Sequence, residues 1–461
     1  MDRTTEILSD YACSLTYEDL GSEVVHQVKR TLVDTLGCAA GGYSSEPAQI
    51  ARKLAAATSS STPARILGTE DSSSPDMAGF ANGVMIRFLD CNDSYFSPGG
   101  GHPSDMIAAP LALAGVTNSD GRAVITAIVL AYEVFGRLSD QVVTTDLGWD
   151  QGMFSAIGAA CAAGKVLGLN RGQMGHAISL VVAPNLPLGV TRTGELPMWK
   201  GCATASATRA AIFAAQLAGL GMTGPFEPFE GHRGLWEQAI HNVVPQISFP
   251  AGSNGGPGGD TAEFRIMHTT FKSYPSQIHT QGPIGLALEL YPQLAGAGIE
   301  SIKIKAYSGA VSTPATQPEK WDPKTRETAD HSIPYLVAAA FLDGAVTPDS
   351  FTDQRIHDPA LHALIGKITI EEDEEFTRRY PQEFNCRMEV TDTSGRIFEV
   401  HTPHPKGNRH NPLNDAEVED KFRRLSQEVL NQQQCGRVLQ LAWAFDEQSS
   451  LDPLFNSMVV C

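Results

Sequence analysis

The sequence predicts a mainly α-helical protein, with helical segments at both ends of the chain and a smaller α+β domain between them. Apolar residues recur at helical spacing through the first half, and no convincing strand-period segment occurs before about residue 264. Short runs of alternating apolar and polar residues follow, and helical spacing returns after residue 414. A chain of 461 residues is also too long for one compact core. We therefore predict helical segments at 1–263 and 405–461 and an α+β domain at 264–404.

The first half divides into amphipathic helices. One begins at Thr5, and Ser22 is expected to cap a second helix that ends at Gly37. Apolar residues between 77 and 88 form one face of another helix, which must end near Asp90 because a proline and three glycines soon follow. The same spacing predicts further helices at 123–135, 155–167, 174–182 and 203–217.

The second half contains strands. Alternation predicts them at 302–304, 368–370, 386–390 and 396–400. A turn at 393–395 joins the last two strands, and a helix is predicted at 331–343. Asn414 and Glu417 have the spacing of a capping box at the start of the returning helices. We expect the last helix, at 428–445, to dock on the first domain.

The composition restricts the partners. A net charge of −18 disfavours nucleic acids and anionic membranes, so a polycarboxylate substrate would need a local island of positive charge. The eight cysteines are scattered, which suits a reducing cytoplasm and lacks the spacing of an iron–sulfur cluster. No apolar run reaches membrane-spanning length, and residues 1–6 do not resemble a targeting segment, so we expect a cytoplasmic protein. The glycine-rich run at 250–259 predicts a hinge, because no Gly-Lys-Ser/Thr follows it.

The loop that follows the helix ending near Asp90 gathers several chemical groups. It carries a second carboxylate, Asp93, the hydroxyl of Ser94 and the imidazole of His102, and Ser104 is expected to cap the next helix. In one interpretation the aspartates cap a helix and the histidine packs in a turn. In the other, the glycines before His102 let the backbone approach a ligand, and a buried Asp90 requires a partner. The combination favours a functional site.

Four motifs along the chain carry a family resemblance. They are Gly-His-Pro-Ser-Asp at 101–105 after an Asn-Asp pair at 92–93, Gly-Glu-Leu-Pro-Met-Trp-Lys-Gly at 194–201, Tyr-Pro-Ser-Gln-Ile-His-Thr-Gln at 274–281, and Ala-Asp-His-Ser-Ile-Pro-Tyr at 329–335. In this order they resemble the MmgE/PrpD family of 2-methylcitrate dehydratases and cis-aconitate decarboxylases. The resemblance covers nearly the whole chain. It implies a large helical domain made of both chain ends, an inserted α+β lid domain and a homodimer.

Lys200 precedes a run of small residues that is predicted to be helical. A lysine at a helix N-terminus is unfavourable unless an anion joins it, so either a carboxylate binds there or the side chain reaches solvent. The family resemblance implies a pocket lysine at Lys200, a substrate-binding lysine at Lys272 and an active-site imidazole at His279. Gln277 occupies a position at which the resemblance implies a histidine in the decarboxylase branch.

A second departure from the decarboxylase branch lies at 148–150, which reads Gly-Trp-Asp. The resemblance implies Gly-Trp-His at this place in the decarboxylase branch of the family and Gly-Leu-Asp in the dehydratase branch. Asp150 and Gln277 therefore favour dehydration over decarboxylation. We expect His331 to pack beneath the lid rather than to touch the substrate.

We predict a metal-independent and cofactor-independent hydro-lyase that dehydrates a small tricarboxylate, 2-methylcitrate or a related alkylcitrate. In this hypothesis His102 or Asp90 acts as base or acid, two lysines clamp carboxylates, and His279 protonates the departing hydroxyl. The predicted catalytic residues are Asp90, His102, Lys200, Lys272 and His279. The predicted substrate-binding residues are Asp93, Ser94, Ser104, Asp150 and Gln277. The alternatives are decarboxylation of cis-aconitate, epimerisation or isomerisation of a di- or tricarboxylate, and a non-catalytic binding protein, which the intact catalytic set disfavours.

Overall fold

A computed structural model of the chain describes residues 1–250, 263–294, 296–312 and 314–460. The fold is mainly α, with 57% of residues in helices, so the predicted fold class is confirmed. Apart from Pro250, the predicted glycine-rich hinge at 250–259 lies outside the described residues. No helix within the described ranges is both long enough and apolar enough to cross a membrane.

The described helices of the first half confirm the predicted helical spacing. They are α1 (Arg3–Ser14), α2 (Ser22–Gly42), α3 (Glu46–Ala56), α4 (Pro75–Phe88), α5 (Ala108–Thr117), α6 (Gly121–Ser139), α7 (Gly152–Val166), α8 (Arg171–Val182), α9 (Ala203–Gly219) and α10 (Leu235–Ile240). Those of the second half are α11 (Gln281–Leu294), α12 (Ser308–Ser312), α13 (Pro318–Trp321), α14 (Arg326–Ala329), α15 (Ile333–Asp343), α16 (Asp353–Ile356), α17 (Pro359–Ile365), α18 (Glu374–Arg379), α19 (Asp415–Ser426), α20 (Gln432–Trp443) and α21 (Asp452–Ser457).

The strands form one four-stranded sheet and two short hairpins. In chain order they are β1 (Ala64–Arg65), β2 (Ser72–Ser73), β3 (Tyr95–Phe96), β4 (Gly100–Gly101), β5 (Ile299–Ala306), β6 (Ile368–Glu372), β7 (Cys386–Asp392) and β8 (Ile397–Thr402). The larger sheet has the order β6-β5-β7-β8, and only β5 and β6 run parallel. Its strands confirm the four predicted alternating runs. The two-residue strands β1 to β4 were not predicted, because they are too short for a period to show.

The described residues form two large hydrophobic cores and one small cluster of Cys38, Leu89, Cys91 and Leu425. One combines α1 to α10 with α19 to α21, from Leu8 to Met458, so both chain ends share it. The other contains α11, α15 and the inner face of the four-stranded sheet, from Ile278 to Val390. The exact domain boundaries and the role of the second body as a lid remain predictions.

The predicted end of α2 at Gly37 is wrong, because this helix continues to Gly42. Gly37 is not a terminator but a contact point, since a Cβ atom there would lie 3.0 Å from the Cα of Phe422 in α19. Ser22 is the first helical residue, and Gly21 is the N-cap.

The predicted N-cap at Ser104 is also wrong. A 3-10 turn, Pro103–Ile107, comes before α5, and His102 is its N-cap. Ser104 lies inside this turn, and its hydroxyl accepts a hydrogen bond from the Asn92 side chain at 2.8 Å. The capping box of Asn414 and Glu417 is confirmed.

Candidate active site

Asp90 lies at the centre of a buried cluster of charges, directly after α4. Its backbone has a φ of 51°, in the left-handed region that is unfavourable for residues other than glycine. This turn ends the helix and directs the carboxylate back to Arg87, three residues earlier, whose Nη1 lies 2.5 Å from Oδ1. Backbone conformations of this kind concentrate at functional sites, where the surrounding contacts maintain them.

Three cations surround the Asp90 carboxylate. Besides Arg87, the Nζ of Lys272 donates to Oδ1 at 2.5 Å and the Nζ of Lys200 donates to Oδ2 at 3.0 Å. All four side chains are at most 1% exposed. Burial alone would raise the pKa of Asp90, but the cations hold this pKa well below its usual range. Asp90 is therefore ionised and only weakly basic.

Lys200 also connects the two bodies of the fold. It lies in the 3-10 turn Met198–Gly201, just before α9, and its Nζ is 3.2 Å from Oδ2 of Asp330. The same oxygen accepts from Nη1 of Arg326 at 3.1 Å. The anion expected beside Lys200 is thus supplied by the protein in this structure. Arg87, Asp330 and Arg326 were not selected from the sequence, although Asp330 lies within one of the four motifs.

His102 lies on one side of Asp90, with its Nε2 3.7 Å from Oδ1. Its Nδ1 is 2.7 Å from the carbonyl oxygen of Asp93, which can only accept a hydrogen bond. The ring proton therefore lies on Nδ1, and the lone pair of Nε2 faces the cluster. Burial, followed by the charges of Arg87 and Lys272, lowers the pKa of His102 well below its usual value. This imidazole is neutral and can accept a proton.

His331 lies on the other side of Asp90, with its Nε2 3.6 Å from Oδ2. Its Nδ1 forms a hydrogen bond with the Asp330 carboxylate. Burial and the charge of Lys200 lower the pKa of His331 to about 4, while Asp330 and Asp90 both act to raise it. The expectation that His331 only packs beneath the lid missed this contact, because the partner Asp90 is distant in sequence.

Four further residues hold the His102 loop in place. The Asp93 carboxylate accepts from the Tyr132 hydroxyl at 2.7 Å and from the Ser104 backbone N–H at 3.0 Å. The Ser94 hydroxyl lies 3.2 Å from Nδ1 of His102. Asp93, Ser94 and Ser104 have no exposed surface, and burial raises the pKa of Asp93 to about 7. In this conformation these three predicted substrate-binding residues contact the loop itself.

His279 lies among aromatic rings rather than among the charges. Its Nδ1 is 2.6 Å from the Tyr307 hydroxyl, and its ring contacts Phe96 and Phe384. Burial, followed by the charges of Lys272 and His331, lowers the pKa of His279 to about 3. No hydrogen bond or ion pair joins it to Asp90 among the described residues. Gln277 caps this turn by accepting the His279 backbone N–H at 2.7 Å.

Asp150 is buried outside the cluster. Its carboxylate pairs with Nε of Arg192 at 2.6 Å and accepts the Gly152 backbone N–H at 2.9 Å. The next residue, Gln151, does reach the loop, because its side-chain oxygen accepts the His102 backbone N–H at 2.8 Å. Gln151 was not predicted, and no spacing rule in the sequence distinguishes it from its neighbour.

A cavity of about 280 Å³ lies beside this region. Phe96 and Phe384 line it, and both rings also contact His279. Arg265 and Arg409 contribute positive charge to its wall, although Arg265 is paired with Asp140 at 2.7 Å. The Asp90 cluster does not open onto this cavity.

The cluster carries excess positive charge. Four cations, Arg87, Lys200, Lys272 and Arg326, face three carboxylates, Asp90, Asp105 and Asp330. Because the two imidazoles are neutral, one positive charge is left over within a chain of net charge −18. This is the local positive island that a polycarboxylate substrate requires.

Asp90, Asp330 and His331 also offer ligand atoms within 4.8 Å of one another, close enough to hold a metal ion. However, the Lys200 ammonium already lies 3.0 Å from Asp90 and 3.2 Å from Asp330. A divalent ion would compete with this ammonium for the same oxygens. The donor set therefore fits an ammonium better than a metal ion.

Two imidazoles on either side of an ionised carboxylate, surrounded by lysines, are typical of an enzyme active site with acid–base chemistry. Residues 6–247 match the MmgE/PrpD N-terminal domain and residues 274–445 match the MmgE/PrpD C-terminal domain. The chain belongs to the MmgE/PrpD family, as the ordered motifs indicated.

Several characterised proteins are similar over most of the chain. The 2-methylcitrate dehydratase of Salmonella typhimurium is 27% identical over 404 residues, which are 82% of this chain and 79% of that protein. The 2-methylcitrate dehydratase of Cupriavidus necator is 26% identical over 446 residues, covering 88% and 86% of the two chains. The 2-methylcitrate dehydratase of Escherichia coli K12 is 28% identical, covering 82% and 79%. These relatives confirm the prediction of an enzyme of the lyase class.

Proposed function

We propose that this protein removes water from a citrate-type tricarboxylate, 2-methylcitrate or a related alkylcitrate, to give the cis-aconitate-type alkene. The main support is the position of His102 and His331 on opposite sides of Asp90, within 3.7 Å and 3.6 Å of its oxygens. Elimination of water needs one group that accepts a proton and another that donates one. The names of the similar proteins support the same reaction class.

His102 is the proposed base. Its neutral Nε2 removes a proton from the carbon next to a carboxylate, and the electrons of the broken C–H bond form the C=C bond as the C–O bond breaks. The hydrogen bond from Nδ1 to the Asp93 carbonyl keeps the lone pair on Nε2. Arg87 and Lys272, which lower the pKa of His102, keep this imidazole unprotonated before the reaction.

His331 is the proposed acid: it is neutral in the empty site, takes up a proton when the trianion binds, and gives that proton to the departing hydroxyl so that water leaves. It is the better candidate because Asp330 and Asp90 both favour its protonated form. A bound trianion adds negative charge and raises the pKa of His331 further. Burial lowers the pKa of both imidazoles, but only His331 has a second carboxylate, Asp330, that favours its protonated form. His279, with a pKa of about 3 and no carboxylate partner, is a weaker candidate for this role.

Lys200 and Lys272 are proposed to bind substrate carboxylates and to stabilise the negative charge that develops when the proton is removed. A preorganised donor of this kind typically lowers the barrier by roughly 3–4 kcal/mol. Because Lys200 already holds two carboxylates of the protein, a substrate carboxylate would replace one of them.

The test is an assay of the purified protein against a panel of tricarboxylates, read by mass and by the ultraviolet absorbance of the conjugated alkene. Loss of one water from an alkylcitrate supports the proposal. Release of carbon dioxide from cis-aconitate would instead identify a decarboxylase, and exchange of a carbon-bound proton with deuterium without net conversion an epimerase. His102→Gln should lower kcat by about 10²–10⁴-fold, whereas His357→Gln, which changes a half-exposed histidine, should not.

We further propose that the reaction needs no metal ion and no cofactor. The position of Lys200 between the two carboxylates supports this, because the ammonium supplies the positive charge there. Activity should survive dialysis against a chelator, and loss of activity that a divalent ion restores would overturn the proposal. The free cysteines in the described part of the chain suit a cytoplasmic location, and the family resemblance supports a homodimer.

A further inference from the structure

Lys320 is a buried lysine outside the site described so far. It lies in α13, and its side chain is 1% exposed. Its backbone carbonyl accepts a hydrogen bond from the Ser332 hydroxyl, and Ser332 directly follows His331. This contact fixes the backbone of Lys320 next to the segment that carries the proposed acid.

Four lysines are among the largest fully buried side chains, and three of them have clear partners. Lys421 pairs with Asp34 at 2.5 Å and donates to the Cys91 carbonyl at 2.7 Å. Lys200 and Lys272 pair with the carboxylates of the Asp90 cluster. By contrast, no hydrogen bond or ion pair of the Lys320 ammonium is found within the described ranges of the chain.

An unpaired ammonium is costly to bury, because it loses the hydration that water provides. Burial lowers the pKa of Lys320, while Asp330 raises it and Lys200 lowers it. The Ser332 contact holds Lys320 beside the segment of Asp330 and His331, and among the described residues no carboxylate of the cluster pairs with its ammonium. A ligand carboxylate would supply the missing partner, and a cationic group kept unpaired beside a catalytic cluster is typical of a binding residue.

We propose that Lys320 binds one carboxylate of the substrate, so that three lysines serve a tricarboxylate. This rests on the proposed function, and it extends the substrate-binding set to a residue that lies outside the four sequence motifs. Lys320 belongs to the same body of the fold as Asp330 and His331. A ligand held by Lys320 and by Lys200 therefore contacts both bodies.

The test measures binding of unreactive ligands, since a ligand without a hydroxyl group cannot lose water. Propane-1,2,3-tricarboxylate carries three carboxylates, while glutarate and methylsuccinate each lack a different one. Lys320→Met should weaken binding of the tricarboxylate by about 10- to 100-fold, the value of a hydrogen bond between charged groups. One of the two dicarboxylates lacks the carboxylate that Lys320 is proposed to bind. That dicarboxylate should have the same affinity for the wild type and for Lys320→Met.

Lys324→Met is the matched control, because Lys324 is 56% exposed and pairs with Asp322 on the surface. This variant should bind all three ligands as the wild type does. Thermal unfolding without ligand provides a second readout. Lys320→Met should keep or raise the Tm, because it removes an unpaired buried charge, whereas a lysine with a purely structural role would lower the Tm when replaced. If Lys320→Met does not fold, Lys320→Gln replaces it in the same binding and unfolding measurements.

Equal affinity of wild type and Lys320→Met for the tricarboxylate would overturn the proposal. The proposal would also be overturned if Lys320→Met lowered the affinity for all three ligands by the same factor, because the loss of affinity would then not depend on one particular carboxylate. If the wild type binds none of the ligands, both the proposed tricarboxylate substrate and the proposed role of Lys320 are refuted. If binding depends on Lys320 but no dehydration is observed, only the proposed reaction fails.

Discussion

Replacing Asp330 by Asn tests whether this carboxylate positions His331 as the proposed acid. The change keeps the size of the side chain but removes the charge that pairs with Lys200 at 3.2 Å and Arg326 at 3.1 Å. Removing one partner of a buried ion pair costs about 3–5 kcal/mol of stability. We expect the lower end of this range, because Lys200 keeps Asp90 at 3.0 Å and the Arg326 side chain is 15% exposed.

The effect on catalysis should be larger than loss of stability alone explains. Asp330 is one of two carboxylates that raise the pKa of His331, so the variant holds the protonated imidazole less well. The substitution also removes the charged acceptor that pairs with Nδ1 of His331 and orients the ring. A positioned acid contributes about 10²–10⁴-fold, so kcat should fall within that range. KM should not rise, because the cluster gains positive charge, which favours the anionic substrate.

The assay is kcat and KM as functions of pH, with urea unfolding measured in parallel. The alkaline limb of kcat should move to lower pH in Asp330→Asn, since the acid must be protonated to act. Asp392→Asn is the matched control, because Asp392 is also 1% exposed and pairs with Arg396 at 2.7 Å, but lies in the β7–β8 hairpin. It should lose stability without losing kcat. If Asp330→Asn loses stability but keeps kcat and its pH profile, the assignment of His331 as acid is refuted.

Three further predictions follow from the same structure. Burial lowers the pKa of Lys272 to about 8, so KM for a tricarboxylate should rise with pH above about 8, and Lys272→Arg should flatten this rise in a KM–pH profile. His331→Gln should lower kcat more than His279→Gln does, and the reverse order in steady-state kinetics would return the acid role to His279. Gly42→Ala should destabilise the protein by about 1–3 kcal/mol in urea unfolding, because the new Cβ would lie 2.2 Å from a carbonyl oxygen of α4. Gly115→Ala in α5 meets nothing within 4 Å and should stabilise it by roughly 0.5–1 kcal/mol, so equal effects would contradict the packing argument.

Local sequence signals predicted those helices and strands whose positions are determined by their own residues. The period of apolar residues identified α6 to α9, and the spacing of Asn414 and Glu417 identified the start of α19. The end of α2 could not be found in this way. A glycine near a helix end is a common terminator, but Gly37 is required for the close approach of Phe422, which lies almost 400 positions further along the chain and has no local signature.

The candidate site shows the same limit. Asp90 and His102 lie on one loop, and a loop with carboxylates, glycines and an imidazole can be recognised directly. Lys200 and Lys272 were implied by the family resemblance, and the structure brings both ammonium groups within 3.0 Å of Asp90. The contact of His331 with Asp90 joins residues that are 241 positions apart in the sequence, so no spacing could reveal it.

The Lys200–Asp330 ion pair links substrate access to substrate recognition. The side chains of Asp90, Lys200, Lys272 and Asp330 are at most 1% exposed, so we expect that a tricarboxylate reaches them only if the second body moves away as the predicted lid. Separation breaks the contact between Lys200 and Asp330 and leaves a buried charge without its partner, which is unfavourable in the empty protein. A substrate carboxylate restores a partner to Lys200, and the positive charge that the cluster carries in excess favours a ligand with several such groups. We therefore expect this ion pair to favour the closed form of the empty site, and a bound tricarboxylate to compensate for its loss.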